Sequence, residues 1–227
     1  TGQSPFKTGA YPNHTFAKEG TKSIVHYLKP LGYRIAISGK MHISPHSVFP
    51  FENIGKGNNP DYKAVEKFIE ECTEAKTPFC LFLTSNEPHS PWTKGDAFQY
   101  PIDKISLPKK FADTPATRTI LSQYFAEITY FDNQVGDAMN LVDKYELTDN
   151  TMFIATTEQG AGMPFAKWTC YDHGLQSAMV VRWPGRVKAG AVTDAMVEYV
   201  DVTPTFIDAA GGKAVEGLDG KSFLPVL

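Results

Sequence analysis

The strongest constraint on the fold of this chain is an alternation of short apolar runs with longer segments of helical periodicity. The short runs are rich in β-branched and aromatic residues, as buried strands are, and occupy residues 34–38, 79–85, 151–157 and 178–183. Longer segments elsewhere repeat apolar residues at three- and four-residue steps. This pattern predicts an α/β fold in which helices cover a mostly parallel sheet.

Four segments have the apolar periodicity of amphipathic helices: residues 21–29, 62–73, 116–145 and 203–210. In the longest of them, the apolar residues that recur at these steps are Leu121, Tyr124, Phe125, Ile128, Phe131, Val135, Met139 and Val142. The chain has no internal repeat and no low-complexity tract, and its length is typical of one domain or most of one. The sequence therefore predicts a single helix-covered sheet.

Composition and charge exclude two classes of partner. With 42% hydrophobic and 21% charged residues, the 227-residue chain has the composition of a globular protein with a substantial core. A net charge of -3 gives no general attraction for nucleic acid. No apolar run approaches the roughly 20 residues that a membrane span requires. Any anion must therefore be bound by a local group of cations.

Two irregular segments, residues 42–60 and 87–115, follow predicted strands and so leave the sheet at its carboxyl edge, where α/β proteins place their sites. Lys40 and His42 stand in a Gly-Lys-Met-His sequence at the first of these exits. A cation and an imidazole at a strand end could hold an anionic group. The alternative is a surface lysine beside an incidental histidine.

His89 stands at the second exit, between Pro88 and Pro91, which stiffen the backbone around it. An imidazole fixed in this way could donate a hydrogen bond to an anion or protonate a leaving group. The alternative is a rigid turn in which the histidine only caps the backbone.

Glu158 and Gln159 follow the third predicted strand, and Lys167 lies close behind them in sequence. Adjacent carboxylate and carboxamide oxygens suit calcium or magnesium, although a complete shell needs further ligands. The alternative is that both residues cap a loop. Together, the three strand exits predict a metal-assisted reaction on a tetrahedral oxyanion ester, for which these residues supply no nucleophile.

These residues resemble the formylglycine-dependent sulfatases of the alkaline-phosphatase-like superfamily over nearly the whole chain. Residues 39–42 match the family's Gly-Lys-x-His, residues 88–91 match its Pro-His-x-Pro, and Lys167 falls where its second sulfate-contacting lysine is expected. Further matching segments, in the family's order, are residues 1–14, 130–136, 149–151, 182–185, 200–205 and 218–222.

The resemblance implies a three-layer α/β/α sandwich with a mostly parallel central sheet, incomplete at the N-terminus. It also implies hydrolysis of sulfate esters by a formylglycine hydrate, with Ca²⁺, or alternatively Mg²⁺, offsetting charge on the sulfate. By the same resemblance, Lys40, His89 and Lys167 contact the sulfate, and His42 supports the formylglycine or its sulfate ester. Glu158 and Gln159 would ligate the metal.

The chain departs from the family's pattern in two places. The family usually has Asp followed by Asn or His at the metal, whereas this chain has Glu158 and Gln159. The Cys- or Ser-x-Pro-x-Arg signature that yields formylglycine, and two further metal-binding aspartates, would lie before Thr1. Residues 1–227 are therefore expected to be the larger, carboxyl-terminal part of a catalytic domain and to hydrolyse nothing by themselves.

The resemblance further implies a sulfated small molecule or glycan as partner, and a periplasmic or secreted location for the intact protein. Exposed sheet edges would favour self-association. Two alternatives stay open. One is a phosphodiesterase or phosphatase of the same superfamily, which would usually bind two transition metals. The other is a noncatalytic protein that binds sulfated glycans without cleaving them.

Overall fold

The computed structural model describes residues 1–227 and contains six α-helices and five β-strands. The helices are α1 (Pro5–Thr8), α2 (Ile24–Leu28), α3 (Tyr62–Glu74), α4 (Pro115–Lys144), α5 (Asp172–Leu175) and α6 (Val202–Ala209). The strands are β1 (Arg34–Gly39), β2 (Glu52–Asn53), β3 (Phe79–Thr84), β4 (Phe153–Thr156) and β5 (Met179–Arg182). Single 3₁₀ turns occupy Lys29–Leu31, Ala97–Gln99, Thr148–Asn150, Tyr199–Asp201 and Leu224–Val226.

The chain forms two compact units. The first comprises residues 1–84 and 184–227, and the second comprises residues 85–183. Strands β1 to β3 belong to the first unit with helices α1 to α3 and α6, whereas α4, α5, β4 and β5 belong to the second. The assignment of residues 1–227 to part of one catalytic domain stays a prediction.

A parallel three-stranded sheet in the order β2-β1-β3 forms the centre of the first unit. β1 pairs with β3 along its whole length, from Arg34 opposite Phe79 to Gly39 opposite Thr84. Its middle residues are buried, as expected for the central strand of a parallel sheet. The predicted α/β class is thus confirmed, and the carboxyl ends of β1 and β3 are neighbours.

The core of the first unit lies where α2 and α6 meet β1. Ile24, Val25 and Leu28 on α2 form one buried cluster with Ile35 of β1 and Ile207 of α6. Burial of each such side chain contributes roughly 1.5–3 kcal/mol of hydrophobic free energy. This cluster fixes both helices against the strand that leads to Lys40.

The second unit combines the long helix α4 with a two-stranded sheet in which β4 and β5 are antiparallel. Phe153 lies opposite Arg182, and Thr156 lies opposite Met179. Both strands were predicted, but as members of a mostly parallel sheet. Parallel neighbours usually need a crossover helix. The segment between these two strands has only the four-residue α5, so the chain reverses direction instead.

Thr114 caps the N-terminus of helix α4, because its side chain accepts a hydrogen bond from the backbone N–H of Thr117 at 3.1 Å. The predicted apolar face is confirmed at Leu121 and Val142, which are buried. It is wrong at Ile128, which is 39% exposed, whereas the neighbouring Glu127 is completely buried. None of the helices is both long and apolar enough to cross a bilayer.

Candidate active site

Lys40 is held at the carboxyl end of β1 by the end of β3. Its backbone N–H donates to the carbonyl oxygen of Thr84 at 3.0 Å, and the Thr84 hydroxyl donates to the Lys40 carbonyl at 2.7 Å. Gly39 precedes it with a φ of 105°, and a Cβ at Gly39 would lie 2.0 Å from the Thr84 oxygen. Only glycine permits this close approach. The backbone of the half-buried Lys40 is therefore held in a fixed position at the end of the sheet.

His42 contacts a second histidine that the sequence did not single out. Nε2 of His42 and Nδ1 of His14 are 2.9 Å apart, and the ring centroids are separated by 4.6 Å. One nitrogen must donate to the lone pair of the other, so at least one of the two rings is neutral. His14 stands 28 residues upstream. No local pattern in the sequence links two residues at that separation.

His89 is exposed in the loop that follows β3. Its Nδ1–H donates to the backbone carbonyl of Ser90 at 2.7 Å, which leaves Nε2 as the nitrogen available to a ligand. The peptide bonds before Pro88 and Pro91 are both cis. Farther along the same loop, residues 92–95 contact helix α4.

Glu158 and Gln159 come after the end of β4, the former exposed and the latter half-buried. Their oxygens have the hard character that Ca²⁺ prefers. Nowhere in residues 1–227 do three or more His, Cys, Asp or Glu side chains gather in a position to hold a metal ion. The oxygens of Glu158 and Gln159 are thus of a type that suits such an ion, and these two residues would supply only part of its shell.

Lys167 is half-buried in a loop that folds back on itself. Its backbone N–H donates to the carbonyl of Ala161 at 3.0 Å, and its Nζ lies 5.9 Å from the ring centroid of Trp168. Phe165 and Trp168 have φ values of 61° and 69°, in the left-handed region. Backbone strain of this kind is concentrated at functional sites, so the loop around Lys167 is a candidate for one.

A cleft of about 480 Å³ lies beside the loop of Lys167, within the second unit. Its walls are residues 108–111, the aromatic rings of Tyr124 and Phe125, and the segment from Ala161 to His173. Its volume falls in the range of small-molecule sites. Lys109 and Lys110, both exposed, add positive charge to its lining.

The predicted site residues are divided between the two units. Lys40 and His42 belong to the first, whereas His89, Glu158, Gln159 and Lys167 belong to the second. Each pair or single residue lies just after a strand end or in a loop, as the sequence predicts. Their roles stay predictions.

Known proteins resemble this chain along its length. The family model described as Sulfatase matches residues 1–212. An ulvan-active sulfatase of Formosa agariphila is 36% identical, and the match covers 100% of this chain and 46% of that protein. The human N-sulphoglucosamine sulphohydrolase is 24% identical, with 95% of this chain and 51% of that protein covered. The chain thus spans about half the length of these relatives.

Solved structures share the fold at low sequence identity. A protein studied for glycosaminoglycan metabolism in Bacteroides thetaiotaomicron superposes with a TM-score of 0.85 at 18% identity, covering 100% of this chain and 62% of that one. A phosphonate monoester hydrolase of Silicibacter pomeroyi superposes with a TM-score of 0.75 at 17% identity, covering 100% and 65%. These likenesses establish the fold alone. Because the family model covers most of its residues, the chain belongs to the sulfatase family.

Proposed function

We propose that the protein containing this chain hydrolyses the sulfate esters (O-sulfates), or alternatively the N-sulfates, of carbohydrates. The observation that carries the proposal is the geometry at the end of β1, where Thr84 fixes the backbone on both sides of Lys40. A lysine fixed there provides a preorganised positive charge for a sulfate oxygen. Membership in the sulfatase family supports the same reaction.

Each of the basic residues has a proposed role. Lys40 and Lys167 bind sulfate oxygens, and His89 presents Nε2 to the sulfate and to the leaving oxygen, because its Nδ1–H is bound to Ser90. His42 supports the nucleophile or its sulfate ester, with His14 holding the imidazole at 2.9 Å. Charges placed before the reaction begins lower the cost of charge development in the transition state.

Glu158 and Gln159 are the proposed ligands for Ca²⁺, or Mg²⁺, from this chain. The bound ion would offset the negative charge of the sulfate oxygens. The two residues leave most of a six- to eight-oxygen shell to other groups. We propose that the remaining ligands, and the residue that becomes formylglycine, lie upstream of Thr1 and that residues 1–227 alone are inactive.

A sulfated glycan is the proposed substrate class. The relatives of this chain include one enzyme named for ulvan and one for N-sulphoglucosamine. The cleft lined by residues 108–111 and α4 offers aromatic rings and lysines, which suit an acidic sugar next to the sulfated one. A periplasmic or secreted location and self-association through sheet edges remain proposals from the family resemblance and from the exposed edges.

The discriminating experiment compares ester classes in a longer form of the protein that includes the residues before Thr1 and carries formylglycine. We expect hydrolysis of N-sulfoglucosamine or of an aryl sulfate, with phosphate and phosphonate esters cleaved more slowly. The fold alone does not separate these reactions, because a phosphonate hydrolase shares it. Faster cleavage of phosphate or phosphonate esters, or binding of sulfated glycans without turnover, would refute the proposal.

A further inference from the structure

Glu127 on helix α4 is a charged side chain with no exposed surface. Its Oε1 accepts hydrogen bonds from the backbone N–H groups of Thr93 at 2.5 Å and Lys94 at 3.0 Å. Its Oε2 is buried without a hydrogen-bond partner. A carboxyl group in such a place costs stability unless its bonds compensate. The bonds it makes all lead to the loop that carries His89.

The same turn of α4 contacts this loop at two further points. A Cβ at Gly95 would lie 2.2 Å from the backbone oxygen of Ala126, and Gly95 has a φ of 74°. The rings of Trp92 and Tyr124 meet edge to face, with centroids 5.7 Å apart. Residues 92–95 therefore lie directly on the helix, with no room for displacement toward it.

Glu127 also interacts with a residue that precedes His89 in the same loop. The carboxyl group of Glu87, two residues before His89, interacts with the Glu127 carboxyl. Burial first, and then the like charge of Glu87, raise the pKa of Glu127 above its ordinary value, although the bonds from Lys94 and Thr93 oppose the rise. One buried side chain thus bonds to the loop after the histidine and interacts electrostatically with Glu87 before it.

We propose that Glu127 is a positioning residue for His89, holding the loop of residues 87–95 on α4 so that the Nδ1–H of His89 stays bonded to Ser90 and Nε2 faces the ligand. The anchoring of the loop is inferred from the contacts of Glu127 itself. The consequence for sulfate hydrolysis rests on the proposed function, in which His89 contacts the substrate. Two separate readouts distinguish the two claims.

The first readout uses the full 227-residue chain and no substrate. In Glu127→Ala, the amides of Thr93 and Lys94 lose their acceptor, and we expect their hydrogen exchange to accelerate about tenfold or more. Nitrogen-15 chemical shifts of the His89 ring should show only the Nδ1–H tautomer in the unmodified chain and a mixture of the two tautomers in Glu127→Ala. Glu127→Gln keeps a carbonyl oxygen for both amides and should preserve both signals. Asp137→Asn, which removes an exposed charge from the same helix, should change neither.

Unchanged exchange of both amides, or an unchanged His89 tautomer in Glu127→Ala, would overturn the proposal. If that variant does not fold, Gly95→Ala tests the same point, because its added methyl group pushes the loop away from α4 while the carboxyl stays in place. It should accelerate exchange at Thr93 and Lys94 and broaden the tautomer population of His89. Native-like signals in Gly95→Ala would equally overturn it.

The second readout uses the longer, formylglycine-carrying form and a chromogenic aryl sulfate. A misplaced His89 should lower kcat about tenfold or more in Glu127→Ala while KM changes much less. Recovery of kcat in Glu127→Gln would support positioning by hydrogen bonds. Equal activity of Glu127→Ala and the unmodified enzyme would contradict the catalytic consequence. An unmodified enzyme that cleaves no sulfate refutes the proposed function instead, and leaves the first readout to decide the anchoring.

Discussion

Gly39 shows how one residue sets the position of a candidate catalytic group. Its φ of 105° lies where other residues rarely occur, and its α-carbon faces the carbonyl of Thr84 too closely for a side chain. The next residue is Lys40, whose backbone is bonded to the same carbonyl oxygen. A change at Gly39 should therefore affect both the stability of the sheet and the place of Lys40.

We expect Gly39→Ala to lower the free energy of unfolding by about 3 kcal/mol, from backbone strain together with the clash at Thr84. Urea denaturation measures this change. Gly32→Ala is the matched control, because Gly32 has a φ of 88° but open space around it. The control should lose only about 1 kcal/mol from the backbone conformation. Equal losses in the two variants would show that the contact with Thr84 is unimportant.

Glu127 predicts a specific pH dependence of stability. Its pKa in the folded chain is raised above the ordinary value of 4.5, mainly by burial and further by Glu87. A raised carboxyl pKa means that the folded chain holds the proton more tightly than the unfolded chain does. The contribution of the protonated Glu127 to stability is therefore present below pH 4.5 and is lost as the pH rises through the higher pKa that Glu127 has in the folded state.

Glu127→Gln cannot lose a proton, so its stability should lack this decrease. Urea denaturation at a series of pH values from 4 upward should show that the free energy of unfolding of the variant increases relative to that of the unmodified chain as the pH rises. Asp137→Asn serves as the control for removal of an acidic charge from α4. A difference between Glu127→Gln and the unmodified chain that stays constant with pH would contradict the raised pKa.

At the scale of elements, periodicity and helix or strand punctuation predict the local structure well. Helix α3 was predicted at residues 62–73 and observed at Tyr62–Glu74, and β1 and β3 were predicted to within one residue. Partners far apart in sequence could not be predicted in the same way. The antiparallel pairing of β4 with β5 and the bond between His14 and His42 are both of this kind.

Glu127 illustrates a second limit of sequence patterns. Its neighbours Tyr124 and Ile128 suggest an apolar face, and a single glutamate beside them would ordinarily be placed in solvent. It is buried because the loop after His89 brings two backbone donors to it. A charged residue flanked by apolar ones in an amphipathic helix is a signal for such a contact, but the sequence does not identify the partner.

Helix α3 provides a test at this scale. Asp61 caps it by accepting a hydrogen bond from the Ala64 N–H at 3.2 Å, and its own N–H donates to the buried Ser38 hydroxyl of β1 at 3.0 Å. Asp61→Ala should cost about 1 kcal/mol of unfolding free energy, and Asp61→Asn should cost much less. Thermal and urea unfolding compare the two. A loss in Asp61→Asn as large as that in Asp61→Ala would show that the side-chain oxygen is not the stabilising group.

At the scale of the whole molecule, the chain combines a parallel sheet unit that carries Lys40 and His42 with a second unit that carries His89, Lys167 and the proposed metal ligands. The family of the chain is established by the match over residues 1–212. The central proposal is that Lys40 and His89 each contribute to the hydrolysis of a sulfate ester. It requires that removal of either side chain strongly lower the rate of that reaction.

The most direct test measures hydrolysis of an aryl sulfate, with Ca²⁺ present, by the longer form that carries formylglycine. Lys40→Ala and His89→Ala should each lower kcat/KM about a hundredfold or more. Lys63→Ala, an exposed lysine on α3, should leave the rate unchanged, and residues 1–227 alone should give no turnover. Full activity in either Lys40→Ala or His89→Ala would contradict the account, because each residue is proposed to contact the sulfate.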